Sequence, residues 1–407
     1  MHRPRRNHPR VSTETSTRPT RDHASLVSYA QIGVYGWVLY AFGPSVPLMR
    51  DDEHTTNALA SLHGTLFAIG GIIVALSGPR LAIRLGRGQC LRMGSAFTAL
   101  GLVVYCSGLP LQVTYLGAFL LGIGLGFVIV FANAHINAHQ GTAAPSALAE
   151  ANTFGAVSGM IAPIALGIGV AIGWGWRPGM LVAAIATIIL EFVRGPLTSF
   201  NDGEESDYAI PERTPLPRRY WLACATLALL VGVEFCLVLW SSELLRARTG
   251  MGAGAAALSV TAVVAGMAIG RATGSVATRR FNPEKLLVFV IVLALVGFLL
   301  AWSGSNPAVV LTMLVVTGCG VGMHWPLGIA RAVRASGNHA DVAVAYACAL
   351  TGTSAAIAPF VLAWASDSFG ITTAFAVIPL LLIGALILVR VNGVPFDASS
   401  AAPTDAH

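Results

Sequence analysis

Displacing the sequence by 196 residues superimposes one half of the chain on the other without a gap, and nothing else in it constrains the fold as much. Gly78 falls on Gly274, Arg84 on Arg280, and Ser107-Gly108 on Ser303-Gly304. The run Gly122-x-Gly124-x-Gly126 falls on Gly318-x-Gly320-x-Gly322, and Ser158-x-x-Ile161-Ala162-Pro163-x-x-Leu166 on Ser354-x-x-Ile357-Ala358-Pro359-x-x-Leu362. Proline, arginine and spaced glycine matching at one constant offset point to a duplicated unit. The period is too long for a solenoid or a propeller, so each copy is expected to be a whole bundle.

The medium around that bundle follows from how little charge there is. Of 407 residues, 55% are hydrophobic and 11% charged, with a mean hydropathy of +0.70, too few charges to coat a water-soluble protein of this size. Lipid is the expected solvent. A spanning helix needs about 20 apolar residues, and the sequence offers twelve such runs. The first copy holds them at 25–48, 57–79, 90–109, 112–134, 147–172 and 178–194, the second at 219–243, 253–275, 285–303, 307–330, 341–366 and 370–391. They are too long and too uniformly apolar for barrel strands, and backbone in hydrocarbon must satisfy its own hydrogen bonds. The expectation is an all-α membrane protein of twelve transmembrane helices in two pseudo-symmetric six-helix bundles, 25–194 and 219–391. A disordered tail at 1–24, a Pro-rich acidic linker at 195–218 and a second disordered tail at 392–407 complete the chain.

Charge suggests the orientation. Arg3, Arg5, Arg6, Arg10, Arg18 and Arg21 precede the first span, and Arg80, Arg84, Arg87 and Arg92 surround the second connection. Arg194, Arg213, Arg218, Arg219, Arg280, Lys285, Arg331, Arg334 and Arg390 fall on the same side of an even-numbered threading. The other side has Arg50, Arg177, Arg246 and Arg248, with Asp51, Asp52 and Glu53. The positive-inside rule then predicts a multi-pass protein of the cytoplasmic membrane with both termini inside. The net charge of +6 reflects this topology rather than nucleic-acid binding.

Several functions lose their support. The Arg-rich N-terminal stretch lacks the apolar core and small-residue cleavage site of a signal peptide. Six cysteines lie in or at the edges of spans without close pairs, which reads as packing rather than disulfide or metal chemistry. Gly122-x-Gly124-x-Gly126 sits inside an apolar run with no preceding strand, so it reads as helix packing rather than a dinucleotide loop. Gly266-x-x-x-Gly270-x-x-x-Gly274 likewise forms one ridge for close helix approach. There is no phosphate-binding Gly-Lys-Ser/Thr loop, and Lys285 is the only lysine, so neither a nucleotide nor another cofactor is expected.

Local motifs bring a family into view. Leu81-Ala82-Ile83-Arg84-Leu85-Gly86-Arg87 after the second span is similar to the Gly-x-Leu-Ala-Asp-Arg-x-Gly-Arg-Arg motif of the major facilitator superfamily, and Ala277-Thr278-Arg279-Arg280-Phe281-Asn282-Pro283 is a weaker copy. Gly155-x-x-x-Gly159-x-x-Ala162-Pro163-x-x-x-Gly167 resembles the Gly/Pro-rich fifth helix of its antiporters, and Trp174-Gly175-Trp176-Arg177 its outer Gly-Trp-Arg turn. The resemblance implies a monomeric secondary transporter working by alternating access, with halves related by an axis along the membrane normal. Two departures matter. Ile83 and Arg279 replace the acid that the family uses in an inner latch, leaving Arg84 and Arg280 to bond helix C-terminal carbonyls across the halves. The symmetric Pro163 and Pro359 read as hinge and packing positions rather than as an export marker.

Polar groups inside spans carry the functional expectation, since a carboxylate at the bilayer centre costs about 2.5–3.5 kcal/mol on insertion scales. Glu234, mid-way through the seventh span, reads either as an interhelical hydrogen bond or as a cavity carboxyl that binds cargo or exchanges a proton. Gln31 and Tyr35 lie one turn apart on one face. His324 and Trp325 stand before Pro326, His324 as a cargo or proton ligand or as an interhelical bond. Arg271 reads as snorkelling to the interface, or else as pairing with an anionic cargo. Asn133, His135 and Asn137 with Glu150 and Asn152 read as an inner gate or a helix-end network rather than a midplane site, and His63 stays unassigned. The expected function is transport of a small organic solute across the lipid bilayer, with protons as coupling ion. Efflux of drugs or metabolites rather than nutrient uptake, and a non-transporting membrane sensor on the same fold, remain as alternatives. An embedded enzyme would need clustered metal ligands or a nucleophile with its base, which the spans do not show.

Overall fold

The computed structural model describes residues 19–195, 215–278, 280–337 and 339–392. Most of the two expected tails, the body of the linker and Arg279 lie outside the described residues. The first copy contains α1 (His23–Asp52), α2 (Asn57–Leu85), α3 (Arg87–Tyr105), α4 (Leu111–Gln140), a short 3-10 turn, α5 (Ala144–Ala171) and α6 (Arg177–Arg194). The second contains α7 (Arg218–Thr249), α8 (Ala253–Ala256), α9 (Leu258–Ala277), α10 (Pro283–Ser303), α11 (Pro307–Val321), α12 (His324–Ala335), α13 (Ala340–Phe369), α14 (Ile371–Ala374) and α15 (Val377–Val391). Three spans of the second copy are thus broken: α8 leads into α9, α11 into α12, and α14 into α15.

Helix ends follow local chemistry. Asp22 caps α1 through the Ser25 N–H, Thr56 caps α2 through Leu59, and Asn282 and Asn306 cap α10 and α11, each followed by proline at the first helical position, where a missing N–H is harmless. Gly86 at φ 79° ends α2 and turns the chain into α3, a conformation that a residue with a Cβ resists.

Two sequence expectations shift. Ten stretches are long and apolar enough to cross a membrane; α3 and α6 are the exceptions among the twelve. Arg87 and Arg92 occupy the start of α3, and α6 has 18 residues with Arg177, Glu191 and Arg194 near its ends. The first tail also ends earlier than residue 24. Thr20 bonds Gln140, and Arg21 pairs with Glu150 at 2.9 Å. Partial burial opposes its charge, yet the Ser25 N–H and the His139 ring hold the Asp22 carboxyl down at about 2.

Within the first copy α1 packs on α5 and α6, and α4 on α2 and α3; in the second, α7 packs on α12, α13 and α15, and α11 on α9 and α10. Glycine makes the close crossings. A Cβ on Gly122 would collide with the Phe67 backbone, one on Gly124 with Thr98, and one on Gly266 or Gly270 with the backbone at Val315 or Cys319, so both glycine series serve helix approach. The halves meet where α2 lies against α13, α5 against α8 and α9, and α1 against α7.

Candidate functional site: the junction of the two copies

Bonds related by the internal repeat close the face opposite the chain termini. Thr65 of α2 donates to the Ala356 carbonyl of α13 at 3.0 Å, and Thr261 of α9 donates to the Met160 carbonyl of α5 at 3.2 Å. Both donors and both acceptors are 196 apart. Each acceptor stands three residues before the proline inside its helix, Pro359 or Pro163, where the missing N–H removes a backbone bond and distorts the turn. The prolines singled out in the sequence therefore lie at the junction itself.

Nearer that surface, Arg50 at the end of α1 pairs with Glu243 of α7 at 2.8 Å, and Arg246 of α7 pairs with Asp51 of α1 at 2.9 Å and with Glu243 at 2.7 Å. Arg50 and Arg246 are again 196 apart. Asp367 at the end of α13 accepts the N–H groups of Asn57 and Ala58, at 2.9 and 2.8 Å. A carboxylate of one copy thus caps a helix of the other, satisfying N–H groups that have no partner within α2. On the α5–α8 side, Gly167 and Gly254 bring the backbones together instead.

The terminal face is built differently. Arg84 and Arg280, expected to bond across the halves, are exposed, and their side chains make no hydrogen bond or ion pair among the described residues. The Arg21–Glu150, Asp22–His139 and Thr20–Gln140 contacts all stay within the first copy. Asn152 bonds its own helix, Asn137 is exposed, and the His135 ring stacks on His139. The Arg21, Asp22 and Thr20 contacts tie the start of α1 to α4 and α5, whereas the Asn133 amide oxygen is buried without a hydrogen-bond partner.

Between seal and opening, α1, α7 and α9 bring together a polar cluster. Tyr35 and Tyr40 of α1 lie within electrostatic range of the Glu234 carboxyl of α7 and the Arg271 guanidinium of α9. Arg271 also donates from Nε to the Gly322 carbonyl at 3.2 Å, at the break between α11 and α12. Glu234 is half-buried and Arg271 exposed, so both reach open space while facing the opposite copy's tyrosines. Tyr40 escaped the sequence reading. Its neighbours are 194 and 231 residues away in the chain, and no local pattern announces such a contact.

The remaining sequence candidates fall inside the bundles. Gln31 is 3% exposed, with neither amide atom hydrogen-bonded. It shares with Tyr35, Ser95, Thr98 and Thr187 the wall of a small chamber of about 10 Å³ in the first copy, room for one water-sized group. His324 is fully buried in the second copy, with the Leu230 and Val290 carbonyls beside its ring, whereas Trp325 is exposed. His63 is fully buried and bonded to the Ala60 carbonyl and the Thr114 hydroxyl, a helix-to-helix tie.

With this geometry in hand, the sequence model of the Major Facilitator Superfamily matches residues 30–242. The chain belongs to that superfamily. Among curated protein sequences none matches. Solved superfamily structures align over most of both chains. The nucleoside transporter NupG has 14% identity, covers 91% of this chain and 98% of its own, and gives a TM-score of 0.72. The xylose transporter XylE from E. coli, partially occluded and inward open, has 12% identity, coverages of 92% and 97%, and a TM-score of 0.71. FucP in the outward conformation has 19% identity, coverages of 91% and 99%, and a TM-score of 0.58. Superfamily membership makes this a multi-pass membrane protein of the transporter fold.

Proposed function

We propose that the chain is a monomeric secondary transporter that carries a small organic solute across the cytoplasmic membrane by alternating access, with protons as the coupling ion. The observation that carries this reading is the cluster of Tyr35, Tyr40, Glu234 and Arg271 where the two copies meet, above a sealed face and open toward the other. Two tyrosyl hydroxyls, a carboxylate and a guanidinium offer both donors and acceptors to a polar solute. Fucose with protons, xylose and nucleosides are the cargoes named for the structural relatives, and solutes of that polarity suit this lining.

In this reading Glu234 exchanges the coupling proton. Its carboxyl is ionised while the guanidinium pairs with it and neutral when the guanidinium turns to cargo, so protonation and solute occupancy are linked through one cation. The arginine distribution places both termini and the open face in the cytoplasm. Pro163 and Pro359 would let α5 and α13 bend as the Thr261 and Thr65 bonds break, allowing one copy to rock against the other.

Uptake into proteoliposomes, screened across sugars, nucleosides, organic cations and organic anions with and without an imposed pH gradient, tests the proposal. Gradient-stimulated accumulation of one class, lost in Glu234→Gln while gradient-independent exchange survives, is expected. Unchanged gradient stimulation in that variant would remove Glu234 from coupling, and no transport of any class would overturn the reading.

A further inference from the structure

A large cavity of the first copy lies away from the polar cluster. It is a groove of about 690 Å³ between α5 and α6, floored by α1. Ala30 and Gly33 of α1 and Ala183 and Ala186 of α6 form its floor and one wall, and Phe154 and Ile161 of α5 form the other. A Cβ at Gly33 would meet nothing within 4 Å. Since α6 packs mainly on α1, α3 and α5 of its own copy, the groove opens sideways into the bilayer. Ile161, Val182 and Ile189 line it and are 49%, 49% and 54% exposed.

The repeat puts bulkier side chains at two of the matched positions in the second copy. Leu229 stands where the first copy has Gly33, and Leu382 where it has Ala186. Leu382 is fully buried and Leu229 packs on the core. The same backbone arrangement is thus filled by two leucines in one half and left hollow by small residues in the other.

Water is a poor occupant. Two of the three polar groups on the wall are already used, with the Thr153 hydroxyl donating to the Ala149 carbonyl and the Trp37 indole N–H to the Gly179 carbonyl at 2.8 Å, which leaves the Ser158 hydroxyl as a lone partner. A site that offers a water few partners stays dry, and an empty groove of this size forfeits dispersion contacts along its whole lining. Hydrocarbon is the one component of the surroundings that fits both its chemistry and its position. We propose that the groove between α5 and α6 is a binding site for one acyl chain of a membrane phospholipid, which replaces in the first copy the packing that Leu229 and Leu382 supply in the second. Because Gly33, Val34 and Trp37 of the floor sit on the helix that carries Tyr35, the chain also supports the wall of the central cluster.

Trp37 lines the groove and reports on it. The full-length protein is reconstituted in dioleoyl phosphatidylcholine and in its analogue brominated at mid-chain, and the Trp37 signal is taken as the difference between wild type and Trp37→Phe. The brominated lipid is expected to quench most of that signal. Ala186→Leu and Gly33→Leu, which give the first copy the side chains of the second, are expected to remove most of the quenching while keeping the melting midpoint. A Trp37 signal that brominated chains leave unquenched, or quenching that persists in a folded Ala186→Leu protein, overturns the proposal. If Gly33→Leu does not fold, Ala186→Leu decides alone. A nanodisc map at side-chain resolution adds a second readout: elongated density along α1 between α5 and α6 supports the site, and its absence contradicts it.

Discussion

The seal and the polar cluster lie a few helical turns apart, yet they relate to the internal repeat in opposite ways. The seal obeys it: Thr65 and Thr261, Met160 and Ala356, Arg50 and Arg246 are matched pairs that do equivalent work on the two sides of the axis. The cluster breaks it. Glu234 matches Val38, Arg271 matches Ala75, Tyr35 matches Val231 and Tyr40 matches Cys236. Symmetric residues hold the copies against each other, and asymmetric residues face the space between them. A duplicated scaffold needs matched contacts to rock about its axis, whereas a solute, which has no such symmetry, is bound by groups that have diverged.

The strongest way to break this comparison is to remove the asymmetric charges. Arg271→Gln and Glu234→Gln are each expected to lower gradient-driven transport by about tenfold or more, a loss of ~1.4 kcal/mol or more in the rate-determining barrier. Equal transport in wild type and variants would detach the cluster from function. Replacing the matched hydroxyls sharpens the other half of the comparison. Thr65→Val and Thr261→Val each delete one cross-copy hydrogen bond, about 1 kcal/mol, and should shift the conformational equilibrium of the purified protein by similar amounts. A large effect from one and none from the other would mean that the seal is not symmetric in energy.

Gln31 offers a test of the opposite sign. The second copy has Leu227 at the equivalent position, and neither amide atom of Gln31 is hydrogen-bonded. Gln31→Leu should therefore raise stability by roughly 1 kcal/mol, read as a higher melting midpoint in detergent, with little change in gradient coupling. A marked loss of transport would move Gln31 into the working site. The smallest effect belongs to Asp22. Its folded-state value of about 2 lies below the ordinary carboxylate range near 4, so its stabilisation is present above about pH 4 and fades as pH falls toward 2. Asp22→Asn should lower stability by less than about 1 kcal/mol at pH 7, given its exposure, and by nothing near pH 2, as checked by melting across that range.

Much of the architecture could be read before any coordinates, because a constant offset and the length of apolar runs report directly on duplication and membrane crossing. The weaker spans were harder. Arg87 and Arg92 shorten the apolar part of α3, and the hinges at Gly322 and Ala257 break spans that look continuous in hydropathy. The site was legible in part. Glu234 stands out because an acid in hydrocarbon is costly, and Arg271 for the same reason, but which way each side chain turns depends on helix rotation. Helices that are apolar on every side give no such signal, which is why Gln31 and His324, equally conspicuous in sequence, prove to sit inside the bundles. Thr65 and Thr261 look like ordinary span residues. Their shared offset was the available signal, and only the crossings of α2 with α13 and of α5 with α9 give it meaning.

The central claim is that matched contacts on one face hold the copies together while the terminal face stands open. Spin labels at Arg84→Cys and Arg280→Cys, both exposed positions on that face, measure the opening by double electron–electron resonance. A single long distance is expected in the otherwise intact protein, with a shorter population growing when Arg50→Ala and Arg246→Ala are combined. A short distance from the outset, or a distribution indifferent to the loss of both arginines, would contradict it.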